Sequence, residues 1–328
     1  MAEWVKNRVS VVTPVYNGER HLGRLLESVL AQSWGDVEMI LSDDGSRDGT
    51  LAAARAFRDR FRERGYRLEI VSGEHRNASA AINRGLPLVT GEFLIWPDSD
   101  DALHPDSIRA RAAFLAARPQ YQCVRSLAVY QGPDGGPAPP QENMAGWEQE
   151  ELFFPILNGE SFVCCGCYML RSEAFFAIYP RRRIPEYDVG QNFQMLLPFM
   201  YRHRCPTIPE ALYTVCVSPD SHSRRPLTEG EEERRYADFE ALVDELAAIC
   251  PVSGAEERRR IAQWKERRRY ALALKRNRRG RGAAALLRLW LLGGMGAGAA
   301  LREAARLACG PRGRRLWRRL RAGGKERV

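Results

Sequence analysis

The chain of 328 residues has no apolar run that would carry it through a membrane. Its nearest approach, residues 283–301, is broken by Arg288 and weakened by Gly293, Gly294, Gly296 and Gly298. A spanning helix needs about 20 predominantly apolar residues, so this stretch is expected to be interfacial or packed on the body. No GxGxxG follows the first strand and no GxxxxGK[ST] occurs, which excludes a dinucleotide fingerprint and a P-loop as holders of phosphate. The start of the chain enters a strand by Val9 with no charged and apolar leader, so no secretory signal is expected. Eight cysteines are present. At this length they do not suggest a disulfide framework. The one cluster, Cys164, Cys165 and Cys167, reads as small apolar packing in a reduced compartment.

Charge is unevenly spread. From residue 256 to 328 there are 23 Lys and Arg against 5 Asp and Glu, while the whole chain carries only +9. An acidic body therefore precedes a basic tail, and two jobs are expected of them.

The most informative stretch is Trp96-Pro97-Asp98-Ser99-Asp100-Asp101. Residues 93–96 are apolar and read as a buried strand that ends in this acidic loop. Carboxylates this close repel one another unless something positive joins them. Oxygen ligands favour Mg²⁺ or Mn²⁺ over zinc. A solvated acidic turn is the plain alternative, and the preceding elements weigh against it. β-Branched runs at residues 8–13, 37–41 and 68–71 alternate with helical spacings at Leu22 to Gln32, Thr50 to Gly65 and Ser79 to Arg84. Alternation of this kind gives βαβ units and a mostly parallel sheet, with ligands beyond the carboxyl ends of the strands. Tyr16 and Asn17, Asp43 and Asp44, His75 to Asn77, and Asp98 to Asp101 all fall at such ends. One aspartate there could accept from a base, another from ribose hydroxyls, and a third could ligate a cation.

The stretches VSVVTPVYNGERHL, DDGSRDGT, NASAAINRGL and GEFLIWPDSDD, in that order, resemble the nucleotide-binding half of family 2 glycosyltransferases. The resemblance covers about a third of the chain. It implies the GT-A fold, an α/β architecture with a Rossmann-like central sheet and flanking helices, here followed by the basic helical tail. It implies an inverting transfer from a nucleotide sugar, a UDP-sugar being expected, with Mn²⁺ or Mg²⁺. By position, Pro14, Tyr16 and Glu19 would line the nucleotide pocket and Asp44 would hold the uracil ring. Asn77, Asn83, Asp98 and Ser99 would complete the donor site, Asp98 at the ribose. Asp100 would bind the metal and Asp101 would support it. Ile82 stands where many members carry Arg, and Arg76 or Arg84 is a substitute.

Further along, most members carry a Glu-Asp pair whose Asp is the general base. Gln191-Asn192 occupies that place, and an amide cannot take the proton. A capsule- and exopolysaccharide-type branch of the family resembles this version. Glu186 is expected as the base, with Asp188 as acceptor ligand or alternative base; surface charge before a helix is the plain alternative for both. The ending Ser221-His222-Ser223 makes His222 a candidate metal ligand by the same resemblance. After Pro105 to Ala117 as a helix, residues 131–141 read as a loop, residues 161–170 as a strand and residues 212–217 as an edge strand. A helix is patterned from Glu229 to Cys250.

Three regions follow: 1–102 for the nucleotide sugar, 103–225 for the acceptor, and 226–328 as a basic, helical, membrane-associating region. Trp264, Trp290 and Trp317 among arginines suit an anionic membrane surface. The expected enzyme is cytoplasmic, peripheral on the inner face of the membrane, with a glycan or lipid-linked glycan acceptor. A catalytically impaired nucleotide-sugar or glycan-binding protein is the alternative, supported by Gln191-Asn192. Nucleic-acid binding is not expected, because no recognised module accompanies the arginines.

Overall fold

The computed structural model describes residues 4–140, 142, 146–217 and 227–309. In chain order the elements are β1 (Val5–Val15), α1 (Leu22–Leu30), β2 (Val37–Asp43), α2 (Thr50–Ala56), α3 (Arg58–Glu63), β3 (Arg67–Ser72), α4 (Ala78–Gly85), β4 (Gly91–Ile95), β5 (Ala102–Leu103), α5 (Ser107–Ala117) and β6 (Cys123–Gln131). There follow α6 (Phe153–Asn158), β7 (Tyr168–Arg171), α7 (Ser172–Ile178), α8 (Gln191–Arg202), β8 (Thr207–Cys216), α9 (Glu229–Ile249), α10 (Ala255–Lys275), α11 (Arg279–Leu291) and α12 (Ala297–Ala308).

Among the described residues eight strands make one sheet in the order β3-β2-β1-β4-β7-β6-β8-β5. The first four are parallel, with Val12 opposite Ile40 and Val11 opposite Ile95. Strand β7 runs antiparallel to both β4 and β6, so the parallel half ends where the acidic loop begins. Val9, Val11 and Val12 of β1 are fully buried, as are Met39 and Leu41 of β2. A strand covered on both faces needs such continuous apolar runs. Leu22, Leu25, Leu26 and Val29 put the inner face of α1 in this core, as their helical spacing requires.

Several sequence expectations need correction. The helix expected from Thr50 to Gly65 is two short helices that meet at Phe57. The strand expected over residues 161–170 is confined to Tyr168–Arg171 and is preceded by a 3₁₀ turn, Cys165–Cys167. There a Cβ on Gly166 would lie 2.0 Å from the Tyr213 ring, so the backbone is pressed against β8 and leaves the ladder. The strand expected at residues 212–217 starts earlier, at Thr207, and lies between β6 and the short β5. Strand β6 has no clear alternation and was not anticipated. Residues 283–301 form parts of two helices, α11 and α12, separated at the glycines.

The chain divides into two compact units. One comprises Met1–Pro226 and Leu242–Cys250; the other comprises Leu227–Ala241 and Pro251–Val328. In the second unit α10 is tied to the start of α9 by Arg269 on Glu240 at 2.6 Å and by Lys275 and Arg276 on Glu232. The Arg268 guanidinium lies over the rings of Tyr236, Phe239 and Trp264. Tyr270, Ala285, Leu286 and Leu307 form the apolar centre of α10, α11 and α12.

Candidate functional site

Beyond Ile95 the chain leaves the sheet through Trp96, which is buried, and Pro97, whose carbonyl accepts from Thr13 Oγ1 at 3.0 Å. The aspartates that follow have three different surroundings. Asp101 is buried; its Oδ2 accepts from Tyr213 Oη and its Oδ1 from the Cys216 N–H, both at 2.8 Å. It therefore anchors the loop to β8. The Asp98 N–H donates to the same Tyr213 oxygen at 3.2 Å, and Asp98 Oδ1 accepts from Gln191 Nε2 at 3.3 Å. The carbonyl of Asp100 accepts from Arg24 Nη1 at 3.2 Å, whereas its carboxylate makes no hydrogen bond among the described residues.

Burial, and then the charge of Asp100, push the Asp98 carboxyl up to about 6, against hydrogen bonds from Cys165 and Gln191; the charge of Glu142 adds to the rise. Burial and the charges of Asp98 and Asp100 likewise push Asp101 well above the ordinary range. The loop holds more negative charge than its neighbours neutralise. An oxygen-ligated cation fits that excess, with Asp100 as the carboxylate left to take it. No three His, Cys, Asp or Glu side chains are gathered as a ready-made metal cage among the described residues. His222, the other expected metal ligand, lies outside the described residues.

At the end of β2 the Asp44 side chain is buried and accepts from Arg84 Nη2 at 2.6 Å and from the Arg76 N–H at 3.0 Å; His75 Nδ1 stands 2.9 Å away. The His75 ring stacks on Tyr16, with centroids 3.8 Å apart. Arg84 is therefore the guanidinium beside Asp44, and Arg76 instead pairs with Glu186 at 2.8 Å. Pro14 sits opposite Ser42 in the ladder, and Ser99 lies beside Gly18.

Three expected donor-site residues are engaged in holding the scaffold. Glu19 is exposed, and its carboxylate accepts from the Gly49 N–H at 3.0 Å, which ties the loop after β1 to the loop after β2. Asn77 caps α4, accepting from the Ala80 N–H at 2.9 Å, the ordinary use of an Asn at an N-cap. Asn83 is buried; its Oδ1 accepts from the Ile184 N–H at 2.8 Å, and its Nδ2 donates to Ile184 O at 2.9 Å and Glu186 Oε1 at 3.1 Å. These hydrogen bonds engage the Asn83 amide with the 184–186 segment.

That segment leads to α8, which starts at Gln191 after Gly190, a position with φ 65° that suits glycine. Gln191 faces Asp98, and Trp96 Nε1 donates to Asn192 Oδ1 at 3.4 Å. The two amides thus flank the acidic loop. The carboxylate of Glu186, the base expected from position, is already engaged at both oxygens. One oxygen takes Arg183 at 2.6 Å and Asn83, and the other takes Arg76. Burial opposes its ionisation, but these hydrogen bonds and charges outweigh burial and hold the carboxyl below its usual range. A carboxylate so held has little appetite for a proton. Asp188, two residues on, is exposed and makes no hydrogen bond or ion pair among the described residues.

Two residues at the site, Tyr213 and Glu142, escaped sequence reasoning, and a third was only partly read. Tyr213 joins Asp98 to Asp101 from a strand 115 and 112 residues away in sequence, separations on which no local pattern bears. His75 gave only its position at a strand end. Glu142, from a Gly- and Pro-rich stretch, sets one oxygen on the N–H groups of Val163 at 2.8 Å and Cys164 at 3.0 Å, and burial raises its pKa.

Comparison with known proteins agrees with this architecture. Residues 10–177 match the family model described as glycosyl transferase family 2. The putative glycosyltransferase EpsE of Bacillus subtilis (strain 168) is 28% identical over 229 residues, 67% of this chain and 77% of that protein. The crystal structure of S. aureus TarS 1–349 superposes with a TM-score of 0.60 at 18% identity, covering 87% of this chain and 80% of TarS 1–349. Mannosyltransferase PcManGT from Pyrobaculum calidifontis, in complex with GDP-Man and Mn²⁺, gives 0.56 at 18% identity, covering 97% and 85%. The fold is that of GT-A glycosyltransferases, in accord with the sheet order and the carboxyl-edge site. With half of its length matched by the family model, the chain belongs to glycosyl transferase family 2 and is a glycosyltransferase.

Proposed function

We propose that this enzyme moves a sugar, with inversion, from a UDP-sugar to a glycan or lipid-linked glycan acceptor in polysaccharide biosynthesis. The carrying observation is the acidic loop at residues 98–101, whose Asp100 carboxylate makes no hydrogen bond among the described residues while burial and mutual repulsion push Asp98 and Asp101 up. Asp100, with His222, would hold Mn²⁺ or Mg²⁺. The cation would supply Lewis-acid stabilisation of the departing diphosphate. The Mn²⁺ bound with GDP-Man in PcManGT supports the cation, and the UDP-GlcNAc bound in S. aureus TarS 1–349, of the same fold, supports a UDP-sugar.

In this scheme Tyr16, His75 and Asp44 receive the base, Asp98 takes the ribose hydroxyls, and Asp101 keeps the loop on β8. Asp188 removes the acceptor proton, since Glu186 is committed to two arginines. Residues 1–102 serve the donor, 103–225 the acceptor, and 226–328 hold the enzyme peripherally at the inner face of the membrane. A second reading, a nucleotide-sugar-binding protein without turnover, is favoured only by the amides at Gln191 and Asn192.

A screen of nucleotide sugars for protection against thermal unfolding, with and without Mn²⁺, tests the donor assignment. Release of nucleoside diphosphate from the best binder separates the two readings. A UDP-sugar is expected to raise Tm only with the cation present and to be turned over. Protection without turnover, even with acceptor glycans, selects the second reading. If no nucleotide sugar protects, both fail.

A further inference from the structure

Helix α11 is apolar on two opposite sides. Its inner side, Gly282, Ala285, Leu286 and Leu289, is buried and belongs with Tyr270 of α10 and Leu307 of α12. A helix packed in a bundle needs one such stripe. The second stripe lies on the outside: Leu287, Trp290 and Leu291 recur at helical spacing and are 56%, 45% and 69% exposed. Ala283 and Ala284 extend it toward the start of the helix. Leu301 of α12 is 72% exposed. Of the seven large apolar side chains exposed among the described residues, four fall on these two helices. Scattered exposed leucines need no explanation, but a contiguous stripe containing a tryptophan does.

The rim of the stripe is positive. Arg281 and Arg288 follow its one edge and Arg279 the other; all three are exposed, and Arg288 also pairs with Glu266 of α10 at 3.2 Å. Between residues 279 and 309 there are five arginines and a single acid, Glu303, which accepts from Tyr270 Oη at 2.7 Å and pairs with Arg306. Arginine can lay its stem along an apolar surface and keep its head among phosphates. An apolar stripe with Trp, edged by arginines and nearly free of acids, has the composition of a helix lying in a lipid interface.

We infer that the outer face of α11, centred on Leu287, Trp290 and Leu291, docks this glycosyltransferase in the plane of an anionic membrane surface. The inference deepens the peripheral location proposed above and rests on it. Neither α11 nor any other described helix is long and apolar enough to cross, so the helix lies in the surface with its outer stripe among the acyl chains. A second copy of the chain is a poorer occupant. It would press two arginine rims together, and like charges at an interface oppose association.

The experiment uses the full chain and vesicles of phosphatidylglycerol with phosphatidylcholine, with pure phosphatidylcholine vesicles alongside. Cosedimentation is compared for wild type and for Leu287→Glu with Leu291→Glu; Trp290→Ala is a milder variant. The paired glutamates are expected to lower the partition onto anionic vesicles at least tenfold, and Trp290→Ala several-fold. Tm and donor turnover in solution are expected to be unchanged. Wild type that ignores anionic vesicles overturns this inference and the peripheral location together. Wild type that binds while the paired variant binds equally well leaves the location standing and overturns the α11 face. Equal binding to both vesicle types overturns the anionic specification. A wild-type dimer that the variants render monomeric makes the face a self-association surface instead.

Discussion

Gln191 Nε2 donates to Asp98 Oδ1 across 3.3 Å, bringing the first residue of α8 to the acidic loop that follows β4. The bond opposes the burial and charge that push Asp98 toward protonation. It also puts a neutral amide where a second acid would worsen the repulsion. Gln191→Ala is expected to raise the donor KM several-fold and to lower kcat by less than tenfold, because the amide positions Asp98 and moves no proton. Steady-state kinetics on a donor series measures this. A kcat loss of roughly 10²-fold or more, the scale of general acid–base catalysis, would put Gln191 in the chemistry.

Asp100 should carry the metal response. EDTA is expected to abolish turnover and Mn²⁺ or Mg²⁺ to restore it. Asp100→Asn is expected to lose roughly a hundredfold or more in turnover, the scale of a lost electrostatic stabiliser, and to lose calorimetric binding of Mn²⁺ with nucleotide. Tm should hold, since the Asp100 carboxylate makes no hydrogen bond among the described residues. Full activity in EDTA would remove the metal from the scheme.

Asp44 is expected to join stability to donor binding. It is buried and holds Arg84, the Arg76 N–H and His75 at once. Asp44→Ala leaves the Arg84 guanidinium, 23% exposed, without its acid. Losing one partner of such a pair costs about 2–3 kcal/mol. The urea midpoint is expected to fall accordingly, and nucleotide affinity by at least an order of magnitude. Arg84→Ala should reproduce much of the stability loss, and the two changes should be non-additive in a double-mutant cycle. Additive effects would mean that the pair does not act as a unit.

The donor half was legible because its signals are local. Strand ends are marked by the residues that stop them, so Asp44, Asp98 and Asp101 fell at the same carboxyl edge of the sheet once the parallel order was known. What each side chain does there was less legible. Asn77, Asn83 and Glu19 lie in the right segments, but their hydrogen bonds go to a helix start, to residue 184 and to a neighbouring loop. A sequence gives the segment and not the direction of an amide. The second half of the sheet was harder, because β6 pairs with β7 and β8 over separations of 43 to 85 residues. The break in the expected strand at residues 161–170 depends on Gly166 meeting Tyr213, which no local pattern records.

The sharpest division between local pattern and three-dimensional arrangement concerns the base. Position alone favoured Glu186, which has the longer reach. In the structure its oxygens are taken by Arg76, Arg183 and Asn83. Glu186→Gln should therefore lower turnover by less than tenfold. Its effect on stability should be small, about 1 kcal/mol, because both arginines are more than half exposed. The pH dependence has a definite sign. The folded carboxyl lies below the ordinary glutamate value, so its contribution is fully present above that value and disappears as pH falls through the folded one. Wild type and Glu186→Gln should thus differ in urea midpoint at neutral pH and converge in acid. Asp188→Asn should behave oppositely, losing roughly 10² to 10⁴ in turnover with little change in nucleotide affinity or stability. If Glu186→Gln shows the large kinetic loss and Asp188→Asn does not, the arginine pairs must open in the ternary complex and Glu186 takes the proton after all. If neither loses activity, the proton leaves by another carboxylate, and Glu142→Gln, at the buried acid whose charge reaches Asp98, is the next variant to measure.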